Sequence, residues 1–324
     1  MNNMNMPKIG ILLPTRGILL DEESHIDETL LFSMASIAEE ANLNSVWVGD
    51  SLLAKPRLEP LSTLSALATS TKQVMLGTAV LLAPLRQPAQ LAQMAATVDI
   101  LSKGRLILGL GVGGVFNEAQ QREWLAAGVD PIRRGIRMTE LMKVCRLLWS
   151  QETVNFHGDF YHLENASLGL KPIRPMGIPM VLACHYATGS SAQYRRASNL
   201  ADGVMGISDS PHLFSQVLKK IKSINSSKKL NTIFYMTINI NEDPNIAFEE
   251  SDKFIKGYYG QNYWGDKWGP FGQPDDIANR ILEYSKAGAE EIIIRFASVN
   301  NQKLQLQALI EKVLPTLYKK INDN

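Results

Sequence analysis

Apolar residues follow two patterns along the chain: short continuous runs, and longer segments in which they recur three and four positions apart. The runs predict buried strands, and the spaced segments predict amphipathic helices. A helix is predicted after each of eight strands, at residues 8–14, 45–49, 74–82, 105–110, 179–184, 203–207, 232–240 and 291–296. Eight such units predict one (β/α)8 TIM barrel over residues 1–324. A two-domain Rossmann-like arrangement is the alternative.

Two segments do not fit this repeat and predict insertions after the fourth and seventh strands. They account for most of the length beyond the about 250 residues of a bare barrel, and they lie at about residues 151–178 and 241–273. The first insertion contains a predicted β-hairpin near residues 153–163, centred on His157-Gly158-Asp159.

The second insertion is rich in aromatic residues and punctuated by glycines between residues 257 and 272. Long loops of this kind often act as lids, with glycine hinges and aromatic side chains that cover a planar ligand. The pattern therefore predicts substrate or lid contacts from Tyr263, Trp264 and Trp268. A surface loop pinned by its aromatic side chains, or an oligomer contact, is the alternative.

Composition and charge argue against several classes of function. The 324 residues include 33 basic and 32 acidic side chains, for a net charge of +1, and no basic block typical of nucleic-acid or membrane-surface binding. Two cysteines, Cys145 and Cys184, form neither a disulfide framework nor a metal cluster, and the five histidines lack metal-ligand spacing. No run reaches the length of a spanning helix or a secretory signal. We expect a cytoplasmic enzyme acting on a small molecule, without nucleic acid, membrane or metal.

A barrel places its chemistry at the carboxyl ends of its strands. The residues that follow the predicted strands are therefore candidates for the site, although each has strand capping or packing as its alternative role. They are Thr15, Arg16, Asp50, Ser51, Thr78 to Leu82, Gly111 to Gly114, Cys184, His185, residues 206–208, Asn239 and Arg295.

Two of these strand ends have a specific chemistry. Residues 109–114 match GxGxxG but follow the fourth strand, which favours a glycine-lined mouth approached by a flat ring over a dinucleotide fingerprint. Residues 187–191 precede a helix, where free N–H groups suit a phosphate; a plain helix cap is the alternative. His185 either moves a proton or is a structural histidine.

The stretch from "VWVGDSLLAKPR" to "GRLILGLGVGG", residues 46–114, resembles the bacterial luciferase-like flavin monooxygenase family. "RRASNLADG" at residues 195–203, the hairpin "VNFHGDFYHL" and "AAGVDPIRRG" at residues 126–135 are similar to the same family. This resemblance implies a (β/α)8 barrel whose carboxyl-end mouth binds reduced FMN or an 8-hydroxy-5-deazaflavin coenzyme.

The resemblance also implies cofactor contacts. A non-prolyl cis peptide at Ala79–Val80, after Thr78, would lie behind the ring, and Gly111 and Gly113 would line its edge. Thr188, Gly189 and Ser190 would hold the cofactor phosphate.

Two departures from the family pattern affect the expected catalytic residues. Many members have Asp-His after the second strand, where this chain has Asp50-Ser51, and a serine hydroxyl is a poor base near neutral pH. Many have Gly-Gly-x-Ser after the fifth strand, where this chain has the bulkier Cys184 to Ser190. We therefore expect catalysis to involve Asp50, Ser51 and His185, with His185 supplying the missing imidazole.

Three functions follow from the resemblance. The first is a monooxygenase that uses O2 and reduced FMN from a separate flavin reductase; the near-neutral charge favours FMN. The second is a deazaflavin-dependent hydride-transfer oxidoreductase, in which rim arginines bind the acidic tail; the candidates are Arg16, Arg57, Arg86 and Arg174. The third, motivated by Ser51, is a non-catalytic flavin-binding barrel. A homodimer is expected through residues 61–68 or 90–101.

Overall fold

The computed structural model describes residues 6–20, 27–187, 189–262 and 268–323. The strands, in chain order, are β1 (Lys8–Leu12), β2 (Ser45–Val48), β3 (Met75–Thr78), β4 (Leu81–Leu82), β5 (Leu106–Gly111), β6 (Val154–His157), β7 (His162–Ala166), β8 (Met180–Ala183), β9 (Gly203–Ile207), β10 (Asn231–Ile240), β11 (Phe271–Gly272) and β12 (Glu291–Phe296).

Eight of these strands close into a barrel in the order β12-β1-β2-β3-β5-β8-β9-β10, and β10 pairs with β12 to complete the ring. Every pairing in the ring is parallel, with registers such as Gly10↔Ser45 and Leu182↔Val204. The predicted (β/α)8 fold is confirmed, and each predicted strand run overlaps one barrel strand.

Helices surround the ring and connect consecutive strands. They are α1 (Thr29–Glu40), α2 (Pro60–Ser70), α3 (Pro88–Leu101), α4 (Glu118–Ala126), α5 (Arg134–Ser150), α6 (Ser191–Leu200), α7 (Pro211–Ile224), α8 (Pro244–Tyr259), α9 (Pro274–Lys286), α10 (Gln302–Ala308) and α11 (Leu314–Asn322). Five begin with proline, whose missing N–H and fixed φ suit a first helical turn. A π-helical turn, Leu309–Val313, joins α10 to α11.

Both faces of the barrel strands are buried, as their continuous apolar runs predict. One face packs against the helices, and the other fills the barrel interior with a cluster that includes Leu12, Trp47, Met205 and Tyr235. Trp47 fits because Gly77 on the neighbouring strand has no side chain; a Cβ there would lie 2.1 Å from the indole. The interior is therefore packed, which leaves the carboxyl-end mouth for a ligand.

The two predicted insertions differ in content. The first holds the expected hairpin, formed by β6 and β7. The second contains helix α8 and the short strand β11, which pairs with β10. Sequence reading did not find α8, because its last turn contains Gly257, Tyr258 and Tyr259, which looked like part of an irregular aromatic loop.

None of the described helices combines sufficient length with sufficient apolar character to span a bilayer.

Candidate functional site

One wall of the mouth is built where the third predicted strand is interrupted. β3 ends at Thr78, the peptide Ala79–Val80 is cis, as the family resemblance implies, and β4 resumes pairing with β5. The Thr78 hydroxyl donates to Gly109 O at 2.8 Å, so it is engaged within the wall. Gly111 faces Val80; a Cβ at Gly111 would lie 2.6 Å from Val80 Cγ2. The result is a low apolar wall that a flat ring can approach.

Asp50 is bound to this wall. Its Oδ2 accepts from Arg86 Nη1 at 2.6 Å and from the Leu82 main-chain N–H at 2.8 Å, and its Oδ1 accepts from Arg86 Nη2 at 3.1 Å. The carboxylate is 2 % exposed. These contacts join the end of β2 to β4, immediately after the cis peptide, so this geometry favours a positioning role over proton transfer.

Ser51 lies beside a buried carboxylate that sequence reading did not single out. Its hydroxyl donates to Glu123 Oε1 at 2.7 Å and accepts from Lys55 N at 2.9 Å. The same Glu123 oxygen also accepts from the main-chain N–H groups of Leu53 and Ala54. Ser51 and Glu123 together fix the loop after β2. The Ser51 hydroxyl donates one hydrogen bond and accepts one within this loop.

His185 is half-buried at the end of β8. Its Nδ1 lies 3.3 Å from Ile207 O, and burial lowers its pKa below 6.5 although the charge of Asp209 acts in the opposite direction. The imidazole is therefore neutral at pH 7. With the proton on Nδ1, Nε2 carries a lone pair. The adjacent Cys184 is buried, and burial raises the pKa of its thiol to about 12, which removes it as a thiolate nucleophile.

The loop after β8 was expected to hold the cofactor phosphate. Ser190 caps helix α6, its hydroxyl accepting from Gln193 N at 3.3 Å. Gly189 packs closely against Tyr194 and the carbonyl of His185, where a Cβ would lie within 2.3 Å of both. Thr188 lies outside the described residues. The two described residues are at the predicted place; their contact with a phosphate stays a prediction.

Gly113 follows closely after Gly111 at the end of β5. Its φ is +75°, a conformation that favours glycine, and it lies against the Trp124 indole. The Trp124 Nε1 donates to Gly114 O at 2.9 Å. The glycine run thus curves over a buried tryptophan at the mouth.

Four cationic side chains come from the segments that follow β1 and β2 and from the penultimate residue of β12. We call this group the basic rim; it consists of Arg16, Lys55, Arg57 and Arg295. Arg295 is 3 % exposed; its Nε donates to Thr237 Oγ1 at 3.0 Å and its Nη1 to Tyr259 Oη at 2.6 Å. Within the described chain, none of the four forms a salt bridge with a carboxylate.

Aromatic rings take the place of acidic partners around the basic rim. The Tyr258 ring centroid lies 5.2, 5.5 and 5.0 Å from the Cζ atoms of Arg16, Arg57 and Arg295, and Lys55 Nζ lies 4.3 Å from the Tyr259 centroid. Trp268, predicted as a lid residue, is buried and stacks on Tyr259 at 5.8 Å between centroids. Tyr263 and Trp264 lie outside the described residues.

The electrostatics of the rim follow from this arrangement. Burial, followed by the nearby charges of Arg57, Arg16 and Arg295, lowers the pKa of Lys55 to about 8. Burial raises the pKa of Tyr258, but the four cations outweigh it and leave that pKa below its usual value. The lowered pKa of Tyr258 reflects the positive charge around it, whereas burial is the main cause of the lowered pKa of Lys55.

Sequence reading identified only part of this group. Arg16 and Arg57 were candidates for rim arginines, and Arg295 was noted at a strand end; Lys55 was missed, although it follows Asp50 by five positions. Arg174 is not at the rim, because it pairs with Asp99 at 2.7 Å and donates to the carbonyl of Leu106, the first residue of β5. It belongs to the amino-terminal end of the barrel.

The hairpin brings together three groups of metal-binding type that their spacing did not reveal. Ligand atoms of His157, His162 and Glu164 lie within 4.8 Å of one another, and all three residues are exposed. The two imidazoles bind each other, with 2.7 Å from His157 Nδ1 to His162 Nε2. This cluster lies on the hairpin and takes no part in the mouth.

Comparisons with known proteins agree with this fold. The family model for luciferase-like monooxygenases matches residues 7–265. An F420-dependent glucose-6-phosphate dehydrogenase from Amycolatopsis mediterranei is 37 % identical over 182 residues, which cover 53 % of this chain and 51 % of the relative. One from Beutenbergia cavernae is 26 % identical over 322 residues, 89 % of this chain and 93 % of the relative. The match to the first of these relatives thus spans about half of its length.

Solved structures show the same fold at lower identity. A monooxygenase from Streptomyces bottropensis, RslO1, has a TM-score of 0.79 at 19 % identity and covers 95 % of this chain and 99 % of that protein. An F420-dependent secondary alcohol dehydrogenase has a TM-score of 0.75 at 18 % identity, with coverages of 97 % and 99 %. At these identities the similarity establishes the barrel and its connections only.

Proposed function

Because this chain belongs to the luciferase-like monooxygenase family, we propose that it is an oxidoreductase that uses the deazaflavin coenzyme F420 for hydride transfer. The observation that carries the choice of cofactor is the sequence similarity to F420-dependent dehydrogenases, at 37 % and 26 % identity. The monooxygenase RslO1 is similar at only 19 % identity, which supports the fold and not the cofactor. The comparisons thus favour the second of the three functions over the expected FMN monooxygenase.

The mouth fits a planar ring system. Its wall carries small or apolar groups, Ala79, Val80 and Gly111, and a Cβ on the glycine would already fill the space against Val80. Gly113 continues this edge, and the loop with Gly189 and Ser190 lies where a phosphate is expected. These residues would hold the cofactor, which supplies hydride-acceptor chemistry when bound.

Oxidation of an alcohol by hydride transfer also requires removal of the hydroxyl proton. Asp50 is engaged by Arg86, and the Ser51 hydroxyl is engaged by Glu123. His185 is the neutral base at this mouth, because burial keeps its pKa below 6.5. We assign the proton-accepting step to His185 Nε2, with Nδ1 oriented by Ile207 O.

The test is an equilibrium titration of the purified protein with F420 and, separately, with reduced FMN under anaerobic conditions. We expect tighter binding of F420, and F420 reduction with an alcohol panel that includes glucose 6-phosphate and a secondary alcohol. Tighter binding of FMN, or an oxygenated product with FMN and O2, would overturn the proposal in favour of the monooxygenase. The His185→Gln variant should retain F420 affinity and lose turnover, whereas loss of affinity alone would contradict its assigned role.

A further inference from the structure

We propose that the basic rim binds an anionic group of the substrate, a phosphate or a carboxylate. This inference rests on the proposed function, because it assumes that the ring of a cofactor occupies the wall at Ala79–Val80. It specifies a substrate class and four residues for one side of the mouth: Arg16, Lys55, Arg57 and Arg295.

The first observation is an unmet hydrogen-bonding requirement. Arg295 is 3 % exposed, and its second terminal nitrogen, Nη2, is buried with no partner among the described residues. The Nε of Arg16 is also buried without a hydrogen-bond partner among the described residues. Buried polar groups are nearly always paired, and a charged one left unpaired carries a large desolvation penalty. Two such donors in one cation group indicate an acceptor supplied by a ligand.

The second observation is that the described residues provide no carboxylate counter-ion to these four cations. Four positive charges converge, and the described residues around them contribute phenol and indole rings rather than carboxylates. A cation over a ring face is stabilised while its N–H groups at the guanidinium edge stay available. The ring contacts therefore hold the cations in place and leave their N–H groups available to bind an anion.

The third observation concerns Arg57, which is held over the mouth by a glycine. A Cβ on Gly49, directly after β2, would lie 2.2 Å from Arg57 Nη1. Arg57 Nε also donates to Lys55 O at 3.1 Å, and Arg16 Nη1 donates to Pro56 O at 3.3 Å. Gly49 therefore leaves room for the Arg57 guanidinium, and main-chain carbonyls of the loop after β2 orient both arginines.

The barrel topology distinguishes the substrate from the cofactor as the source of the anion. The rim centres on β1, with β2 and β12 on either side, whereas the expected cofactor phosphate lies after β8. In the ring order, β1 and β8 are four strands apart in both directions. A cofactor held after β8, with its ring against the β3 wall, would have its phosphate on the opposite side of the ring of strands from the rim. The anion at the rim therefore belongs to the substrate.

The test uses calorimetric titration of the full chain with inorganic phosphate at low ionic strength. The variants are Arg57→Gln, Lys55→Gln and Gly49→Ala, of which the last displaces Arg57 without removing a charge. Arg122→Gln, which removes an exposed arginine of α4, is the matched control. We expect phosphate binding by the wild type, weakened about 10- to 100-fold in each rim variant and unchanged in the control. Circular dichroism confirms folding of each variant.

Titrations with F420 and with its deazaflavin core, which lacks the acidic tail, separate the two sources of the anion. We expect the rim variants to bind both cofactor forms as the wild type does. No phosphate binding by the wild type, or equal weakening in the control, would overturn the inference. Weakened binding of F420 with unchanged binding of the core would assign the rim to the cofactor tail and also overturn it. Failure of F420 to bind in any form rejects the proposed function, and the phosphate titration still tests the rim.

Discussion

Asp50 and Arg86 form a two-point ion pair, with Oδ2–Nη1 at 2.6 Å and Oδ1–Nη2 at 3.1 Å. The pair spans from the end of β2 to the turn after β4, and Asp50 also accepts from Leu82 N. The carboxylate that sequence reading placed among the catalytic groups therefore fixes the segment that carries the cis peptide Ala79–Val80. This geometry predicts that Asp50 holds the wall in position and does not transfer a proton.

This role predicts the outcome of Asp50→Asn. The variant removes a buried charge and leaves Glu59, 3.6 Å away, as the remaining carboxylate beside Arg86 among the described residues, with Leu82 O as a neutral acceptor. We therefore expect a loss of about 2–3 kcal/mol in the free energy of unfolding. Cofactor affinity should fall as well, because the wall loses its anchor. Urea unfolding and cofactor titration measure the two effects, with Arg122→Gln as the surface control. Stability equal to that of the wild type would contradict the structural role.

Ser51→Ala tests whether the serine at the position of the family histidine acts in catalysis. The Ser51 hydroxyl bonds Glu123, which retains the main-chain N–H groups of Leu53 and Ala54. We therefore expect a stability loss of about 1 kcal/mol and a kcat within about threefold of the wild type, since no proton transfer is removed. Steady-state kinetics of the variant test this expectation. A kcat lower by about 100-fold would show that Ser51 is a catalytic group.

The fold was predictable from the sequence because strands that are buried on both faces are apolar at nearly every position. Strands such as Met180–Ala183 are continuous apolar runs, and the helices between strands have apolar residues three and four positions apart. The cis peptide at Ala79–Val80 followed from family resemblance alone, since no physical rule marks Thr-Ala-Val as a site for it.

The side-chain partners at the mouth were not predictable in the same way. Arg295 bonds Tyr259, 36 positions away, and Ser51 bonds Glu123, 72 positions away. Such pairs depend on how loops from different strands come together in space. The hydrophobic periodicity of the sequence carries no information about the positions of these loops. Helix α8 was missed for a related reason: Tyr258 and Tyr259 were interpreted as a loop although they face the barrel from its last turn.

His185 predicts a specific dependence of stability on pH. Its folded pKa lies below the 6.5 of the unfolded chain because burial disfavours the imidazolium. Below pH 6.5 the unfolded state binds this proton more readily than the folded state, so stability falls as pH falls. The loss should be smaller in His185→Gln. Unfolding free energies of both proteins between pH 5 and 8 test this; parallel curves would contradict the buried, neutral histidine.

The expected homodimer has a candidate surface on α3 rather than α2. The apolar residues of α2 pack against its own barrel, whereas Met94, Ile100 and Leu101 on α3 are exposed. We expect light scattering to give twice the monomer mass of 35.9 kDa, and the Met94→Lys/Leu101→Lys double variant to give the monomer mass. A wild-type monomer, or a double variant that remains dimeric, would exclude this surface.

Lys55 predicts how anion binding at the basic rim responds to pH. Burial and the charges of Arg57, Arg16 and Arg295 lower its pKa to about 8, so its ammonium group loses its charge as pH rises through that value. Sulfate is the suitable probe, because its own charge does not change near neutral pH, unlike that of phosphate. The wild-type affinity for sulfate should fall between pH 7 and 9, with a midpoint slightly above 8, since a bound anion favours the protonated lysine.

Two variants serve as controls for this pH dependence. Lys55→Arg should bind sulfate with little dependence on pH, because arginine stays charged throughout this range. Lys55→Gln should bind more weakly and equally at both ends. A wild-type affinity that is constant from pH 7 to 9 would remove Lys55 from the anion site and leave the three arginines to account for any binding.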